Sequence, residues 1–438
     1  MPVTHAPVTG RPLKIAVLGA GVVGTEVIRA LVTDSHDLGA RIGAAVELVG
    51  VGVRDVAADR DAIVPTSLLT SNAADLVAGA DIVVELMGGI EPARTLILHA
   101  FETGASVVTA NKALIAAHGP ELYEAAERAG RDLYFEAAVA GAIPVVRALR
   151  ESLSGDHVRR VLGIVNGTTN YILDQMTTDG LDMAQALSQA QELGYAEADP
   201  TADVEGMDAA AKAAIIAALA FHTRMPLAAV AREGITTVTK EDVDAARDAG
   251  YVIKLLAIVE DTEAGVQARV HPSLVPVGHP LAGVHGAFNA VFVEADDAGE
   301  LMFYGRGAGG APTASAVLGD IVSAARHRAH GGLAPAESAY AAIPIAAAAE
   351  AHTRLQIRLV VADRPGVLAQ VSTALADHGV SIEAVRQHDT PAARTHGGVE
   401  LIIITHRARQ ADLDATVAEL AELDAVIKVA SALRVEGV

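Results

Sequence analysis

The first 150 residues alternate between short apolar runs and helical stretches, and that alternation constrains the fold more than any other feature. Leu13–Ala20, LKIAVLGA, reads as a buried strand; GAGVVG follows at Gly19–Gly24 and leads into a helix, TEVIRALV. Further strands are expected at Val46–Val53, Asp81–Met87, Ser106–Asn111 and Leu133–Val139, with helices at Pro92–Glu102 and Pro120–Ala129. Strands alternating with helices in this way form a parallel, doubly wound sheet.

GAGVVG fits G-x-G-x-x-G, and its position between the first strand and first helix is the context that gives the pattern meaning. The turn needs glycine, a pyrophosphate needs close backbone approach, and the helix N-terminus supplies partial positive charge. Gly19, Ala20, Gly21, Val22, Val23 and Gly24 are therefore expected to bind a dinucleotide. The second strand ends GVGVRD. A carboxylate at that tip holds the ribose 2′-hydroxyl of NAD, and an arginine favours the 2′-phosphate of NADP. Arg54 precedes Asp55, so NADP is favoured and NAD stays open; the plainer reading is a solvated arginine. TANKAL at Thr109–Leu114 ends the fourth strand and places Lys112 in the cleft, where such sheets bind ligands. The competing reading is a surface lysine at a helix start. Glu136 is a lone carboxylate in the apolar run YFEAAVAGAIPVV. The residues alone favour a hydrogen-bonded core carboxylate there, although the Ala-Gly turn offers carbonyl oxygens to a hard cation.

After about residue 150 the pattern changes. Val158–Asn166 and Ala287–Glu294 are strand-like, and Gly305–Val317 is a glycine turn into a helix expected to end near His327. The organisation expected is a dinucleotide-binding domain at 1–150, an α+β catalytic and dimerisation domain at 151–329, a linker at 330–352 and a compact unit at 353–438. In that last unit, strands are expected at Leu355–Val361, Ser381–Gln387, Val399–His406 and Val426–Val435. Helices are expected at Val367–His378 and Ala411–Leu423, with Gly379 closing the first and a loop at Thr390–Gly398. That is βαββαβ, the ferredoxin-like order.

The segment Gly194–Lys212, GYAEADPTADVEGMDAAAK, sets five carboxylates before a helix that is apolar on nearly every side. A lysine buried in such a helix needs a partner or loses its proton. Asp208, four residues before Lys212, shares its face. Locally, a structural ion pair and a catalytic pair are equally good readings.

Composition narrows the classes. The 438-residue chain suggests two or three domains, its residues are 51% hydrophobic, and its formal charge is −21. Nucleic acid and anionic membranes, which select basic surfaces, are not expected partners. The N-terminal MPVTHAPVTGRP has no apolar core of signal-peptide length, and no run is long enough to cross a membrane. There is no cysteine, which excludes disulfides, thiolate metal sites and cysteine nucleophiles. The histidines lack zinc-ligand spacing. A cytoplasmic enzyme fits these properties.

Together the motifs resemble homoserine dehydrogenase over nearly the whole chain. AQELGYAEADPTADVEGMDAAAK is similar to the family signature at Ala190, Gly194, Tyr195, Ala196, Asp199, Pro200, Asp203, Val204, Gly206, Asp208 and Lys212. ELMGGIEPARTLI, VVTANKAL, YFEAAVAGAIPVV, NGTTNYIL and GAGGAPTASAV resemble it too. The C-terminal unit resembles an ACT domain at Asp363, Pro365, Gly366, Val367 and Leu368. The resemblance implies interconversion of L-homoserine and L-aspartate 4-semialdehyde with NADP or NAD, in threonine, methionine and isoleucine biosynthesis. It implies Lys212 as proton donor, Asp208 orienting it, and Lys112 between nicotinamide and substrate. It also implies Glu197, Asp203, Asp208 and Thr168 at the substrate, and Met87, Ala110, Lys112 and Gly307 beside the cofactor. A monovalent cation, sodium, is implied at Glu136, Val139, Gly141 and Ile143, mainly through main-chain oxygens; this displaces the core-carboxylate reading of Glu136. Threonine is the effector expected at the ACT unit, and a homodimer or homotetramer the expected assembly. Aspartate-semialdehyde dehydrogenase handles the same aldehyde through a cysteine, which this chain lacks. Two other readings compete: another NADP-dependent amino-acid dehydrogenase, and a catalytically dead amino-acid sensor. The acidic signature opposes the first, and the two lysines the second.

Overall fold

The structure is a computed structural model that describes residues 11–437 except 338, 340, 342, 389, 390 and 396, and omits the side chains of 391 and 392. The N-terminal segment and parts of the expected linker and of the Thr390–Gly398 loop thus lie outside the described residues. The chain forms two compact units: Met1–Gly167, Asp208–Ala228 and Ala287–Ile343; and Thr168–Met207, Ala229–Gly286 and Pro344–Val438.

In the first unit six strands form one parallel sheet: β1 (Leu13–Leu18), β2 (Val46–Gly52), β3 (Leu69–Thr70), β4 (Ile82–Glu85), β5 (Ser106–Thr109) and β6 (Leu133–Tyr134). Their order is β3-β2-β1-β4-β5-β6, so strand order reverses between β1 and β4, the crevice where such sheets bind dinucleotides. One face is covered by the helices Val22–Thr33 and Gly310–His330. Val27, Ile28 and Leu31 of the first meet Ala314, Val317, Ile321 and Ala324 of the second over Ile15 and Val17. Three antiparallel strands, Val158–Ile164, Phe288–Ala295 and Gly299–Arg306, also belong to this unit.

Two sequence expectations need correction here. The strand expected at Leu133–Val139 stops at Tyr134, and Glu136–Ala138 is a 3-10 turn. Glu136 is held by contacts outside the sheet: its carboxylate accepts the backbone N–H groups of Val146 (2.8 Å) and Arg147 (3.0 Å), and its own N–H donates to the Asp320 carboxylate (2.8 Å) instead of to a neighbouring strand. The helix expected from Pro120 starts at Lys112, where the Asn111 side chain caps it by accepting the Leu114 N–H. Pro120 sits inside it.

In the second unit a hairpin pairs two twelve-residue strands, Tyr251–Thr262 and Gly265–Pro276. Both are buried on both faces for most of their length. Tyr251–Thr262 therefore shows no clear alternation, whereas Gly265–Pro276 alternates Val266, Ala268, Val270 and Leu274 with Gln267, Arg269, His271 and Ser273, a strand signal that sequence reasoning missed. The C-terminal strands order as Val426–Val435, His352–Val361, Val399–Thr405, Ile382–His388, with helices Val367–Asp377 and Gln410–Glu422. This is the ACT arrangement, closed by a core of Leu355, Ile357, Leu359, Val371, Leu375, Ile403, Leu413 and Leu420. Gly379 takes φ +69°, as a residue ending a helix through the left-handed region does. A short helix, Pro391–Thr395, interrupts the expected loop. Part of the expected linker is anchored: Val266 N–H donates to Pro344 and Ala346 N–H to Val266, both at 2.9 Å. No helix among the described residues is long and apolar enough to cross a membrane.

Candidate active site

The helix Met207–Ala220 is buried along almost its whole length because eight of its fourteen residues are alanine, which lets other elements approach on every side. Into it are set Asp208 and Lys212, only 9% and 7% exposed. Lys212 Nζ donates to Asp208 Oδ2 and to the carbonyl of Val165, each at 2.6 Å. Lys112, at the start of its own helix, brings Nζ to 2.5 Å from Asp208 Oδ1. Asn166 Nδ2 donates to Oδ2 at 2.9 Å. Burial alone would raise the Asp208 carboxyl; Lys212 and Lys112 outweigh it and hold it far below the usual carboxylate range. Two ammonium groups on one carboxylate leave a net positive centre, suited to an oxygen that gains negative charge.

The crevice side of the sheet fits a dinucleotide. Gly19 has φ +102°, and a Cβ on Gly24 would lie 2.2 Å from the Gly19 carbonyl. Only glycine permits both the turn and the close helix–strand approach. Gly21 faces open space, and no side chain caps the helix Val22–Thr33, so its first N–H groups are left for an anion. Ala20, Val22 and Val23 complete this turn, and Val22 is 75% exposed. Gly307–Gly310 approaches the same turn: a Cβ on Gly310 would lie 3.1 Å from Val22. Arg54 is exposed two residues beyond β2. Asp55 is engaged in its own turn, its carboxylate accepting Ala57 N–H at 2.8 Å.

Sequence reading missed Glu85, which ties the strand tips together. It is fully buried and accepts N–H groups from Met87 (2.8 Å) and Gly88 (3.2 Å) and the Thr109 hydroxyl (2.6 Å). Met87, Ala110 and Lys112 are thereby held at the ends of β4 and β5. A carboxylate closing the apolar run Ile82–Val84 was the available signal.

Glu136, Val139, Gly141 and Ile143 lie on one buried loop. No backbone N–H among the described residues donates to the carbonyls of Val139 or Gly141. Buried acceptors in that state suit an oxygen-ligated cation. Burial, then the Asp320 carboxylate, push Glu136 up to about 7 against the pull of its two backbone hydrogen bonds. No cluster of three His, Asp or Glu side chains among the described residues could hold a metal.

Thr168, Glu197 and Asp203 belong to the second unit. Thr168 Oγ1 donates to the Tyr195 carbonyl (2.6 Å), and Gln191 donates to that of Glu197 (3.1 Å). Asp199 caps the next turn through Thr201, and Glu205 accepts the Thr236 hydroxyl.

The profile of the family "Homoserine dehydrogenase" matches residues 144–322, that of "Homoserine dehydrogenase, NAD binding domain" residues 19–136, and that of the "ACT domain" residues 355–425. The homoserine dehydrogenase of Mycobacterium tuberculosis is 56% identical over 437 residues, 98% of each chain. The chain belongs to the homoserine dehydrogenase family. It is thus an oxidoreductase with a nicotinamide-cofactor domain and an ACT domain. A homoserine dehydrogenase from Thiobacillus denitrificans superposes with TM-score 0.91 at 40% identity, covering 97% of this chain and 98% of that one. A hyperthermophilic archaeal homoserine dehydrogenase in complex with NADPH superposes with TM-score 0.61 at 28% identity, over 72% of this chain and 98% of that one.

Proposed function

We propose that the chain reduces L-aspartate 4-semialdehyde to L-homoserine reversibly, with NADPH preferred to NADH. The observation that carries this is the Lys112–Asp208–Lys212 cluster within the unit that holds the glycine turn. Bound NADPH supplies the hydride. Lys212 donates a proton to the carbonyl oxygen as charge grows there, Asp208 orients it, and Lys112 adds a second positive charge. Gly19, Ala20, Gly21, Val22, Val23 and Gly24 hold the pyrophosphate and Arg54 the 2′-phosphate. Met87, Ala110, Lys112 and Gly307 line the nicotinamide side. Thr168, Glu197, Asp203 and Asp208 recognise the amino-acid end of the substrate, their carboxylates pairing its ammonium. The loop of Glu136, Val139, Gly141 and Ile143 holds Na⁺, its two bare carbonyls supporting that reading.

The same proposal divides the chain into a cofactor domain (1–150), a substrate and dimerisation domain (151–329), a linker (330–352) and a regulatory ACT domain (353–438). The protein works in the cytoplasm as a homodimer or homotetramer, in threonine, methionine and isoleucine biosynthesis.

The test is NADPH absorbance in the presence of aspartate semialdehyde, with NADH in parallel. Oxidation with a higher kcat/KM for NADPH is expected; no oxidation by the wild-type protein would sink the activity, and equal values the Arg54 assignment. Threonine is the effector proposed at the ACT domain. Added threonine should change the rate or the thermal midpoint, and if it moves neither, the regulatory part fails.

A further inference from the structure

Val165 and Asn166 leave the end of the strand Val158–Ile164 side by side, and each grips one half of the buried pair. The Val165 carbonyl accepts Lys212 Nζ at 2.6 Å. The Asn166 Nδ2 donates at 2.9 Å to Asp208 Oδ2, the same oxygen that accepts Lys212 at 2.6 Å. Asn166 is 6% exposed. Its backbone has little room to move, because a Cβ on the next residue, Gly167, would lie 2.7 Å from the Ala287 carbonyl.

We infer that Asn166 is a positioning residue that sets the acidity of Lys212 by sharing Asp208 Oδ2 with it. The inference rests on the reading of Lys212 as proton donor. A donor on a carboxylate oxygen draws off part of its charge, and such charge-assisted bonds are among the strong ones. With Asn166 in place, Oδ2 exerts less field on Lys212, and the ammonium releases its proton more readily to a developing alkoxide. Without it the full charge of Oδ2 falls on Lys212, which then holds its proton more tightly. The charged groups facing Lys212 include Asp208 on its own helix and Lys112 on the helix Lys112–Ala129. The strand end contributes the neutral Val165 carbonyl and the Asn166 amide.

The experiment is the pH profile of kcat in the direction of homoserine oxidation, where Lys212 must begin unprotonated. Wild-type protein and Asn166→Ala are compared, with NADPH affinity and thermal midpoint measured on both. Loss of one charge-assisted bond should lower kcat about tenfold and move the rising limb up by about one pH unit, with NADPH affinity within about twofold. A fall in kcat with the limb unmoved would show a merely structural role and overturn the inference, as would an unchanged profile. If the alanine variant does not fold, Asn166→Ser is read the same way, since its hydroxyl is too short to reach Oδ2. If Lys212→Ala retained turnover, the proton-donor reading would fail instead, whatever the Asn166 variants did.

Discussion

Lys212→Ala should lose most of its turnover while still binding NADPH. A positioned general acid contributes roughly 10²–10⁴-fold to a rate, and Lys212 is held by two bonds of 2.6 Å that leave its ammonium little freedom. The fold should survive, because Asp208 keeps Lys112 on one oxygen and Asn166 on the other. Removing Asp208 instead would leave a buried ammonium without its counter-charge, the costlier error. Because its folded value lies below the ordinary one, Asp208 adds stability that is present above the usual carboxylate range and lost only as pH falls beneath it. The cluster is therefore intact at neutral pH, and a lowered kcat there reports the missing proton donor rather than a collapsed site. Steady-state kcat with NADPH binding by fluorescence decides it: near-normal kcat would refute the role.

Gly24→Ala should have the opposite signature. The new methyl would lie 2.2 Å from the Gly19 carbonyl and 3.0 Å from its carbon, and neither is the yielding end of a side chain. Gly19 is itself packed closely against the Leu86 carbonyl, which a Cβ on Gly19 would approach to 2.7 Å. The helix Val22–Thr33 must tilt away, carrying its N-terminal N–H groups off the pyrophosphate. Overpacking of this kind costs about 1–3 kcal/mol of stability. NADPH affinity should fall by roughly tenfold or more, since every 1.4 kcal/mol is a factor of ten, while kcat at saturating cofactor changes far less. Unaltered NADPH affinity in a folded Gly24→Ala protein would show that this turn does not carry the cofactor.

The parallel sheet was legible because its strands are short apolar runs, each followed by a helix, and because the turn demands glycine at Gly19 and the close helix–strand approach demands it at Gly24. The Asp208–Lys212 pair was legible from helical spacing. What escaped was set by contacts distant in sequence. Glu136 reads as part of a strand until Asp320, 184 residues later, accepts its N–H. The hairpin strand from Tyr251 is buried on both faces and shows no clear period; its partner from Gly265 does alternate, but with polar residues that are buried too. Asn166 and Glu85 are single polar residues at strand ends, and only the folded backbone shows which carboxylate or loop each one faces.

The helix Gly310–His330 packs into the core over β1 although nearly three hundred residues separate them. During translation, the cofactor-binding sheet would emerge from the ribosome with Ile15, Val17 and Ile28 uncovered on that face. It would wait for Ala314, Val317 and Ile321 until about three quarters of the chain had been made. Closing so long a loop is entropically slow, and exposed apolar faces invite aggregation in the interval. The nascent N-terminal half is thus a natural client for chaperones, and a fragment cut at residue 150 would lack part of its own core.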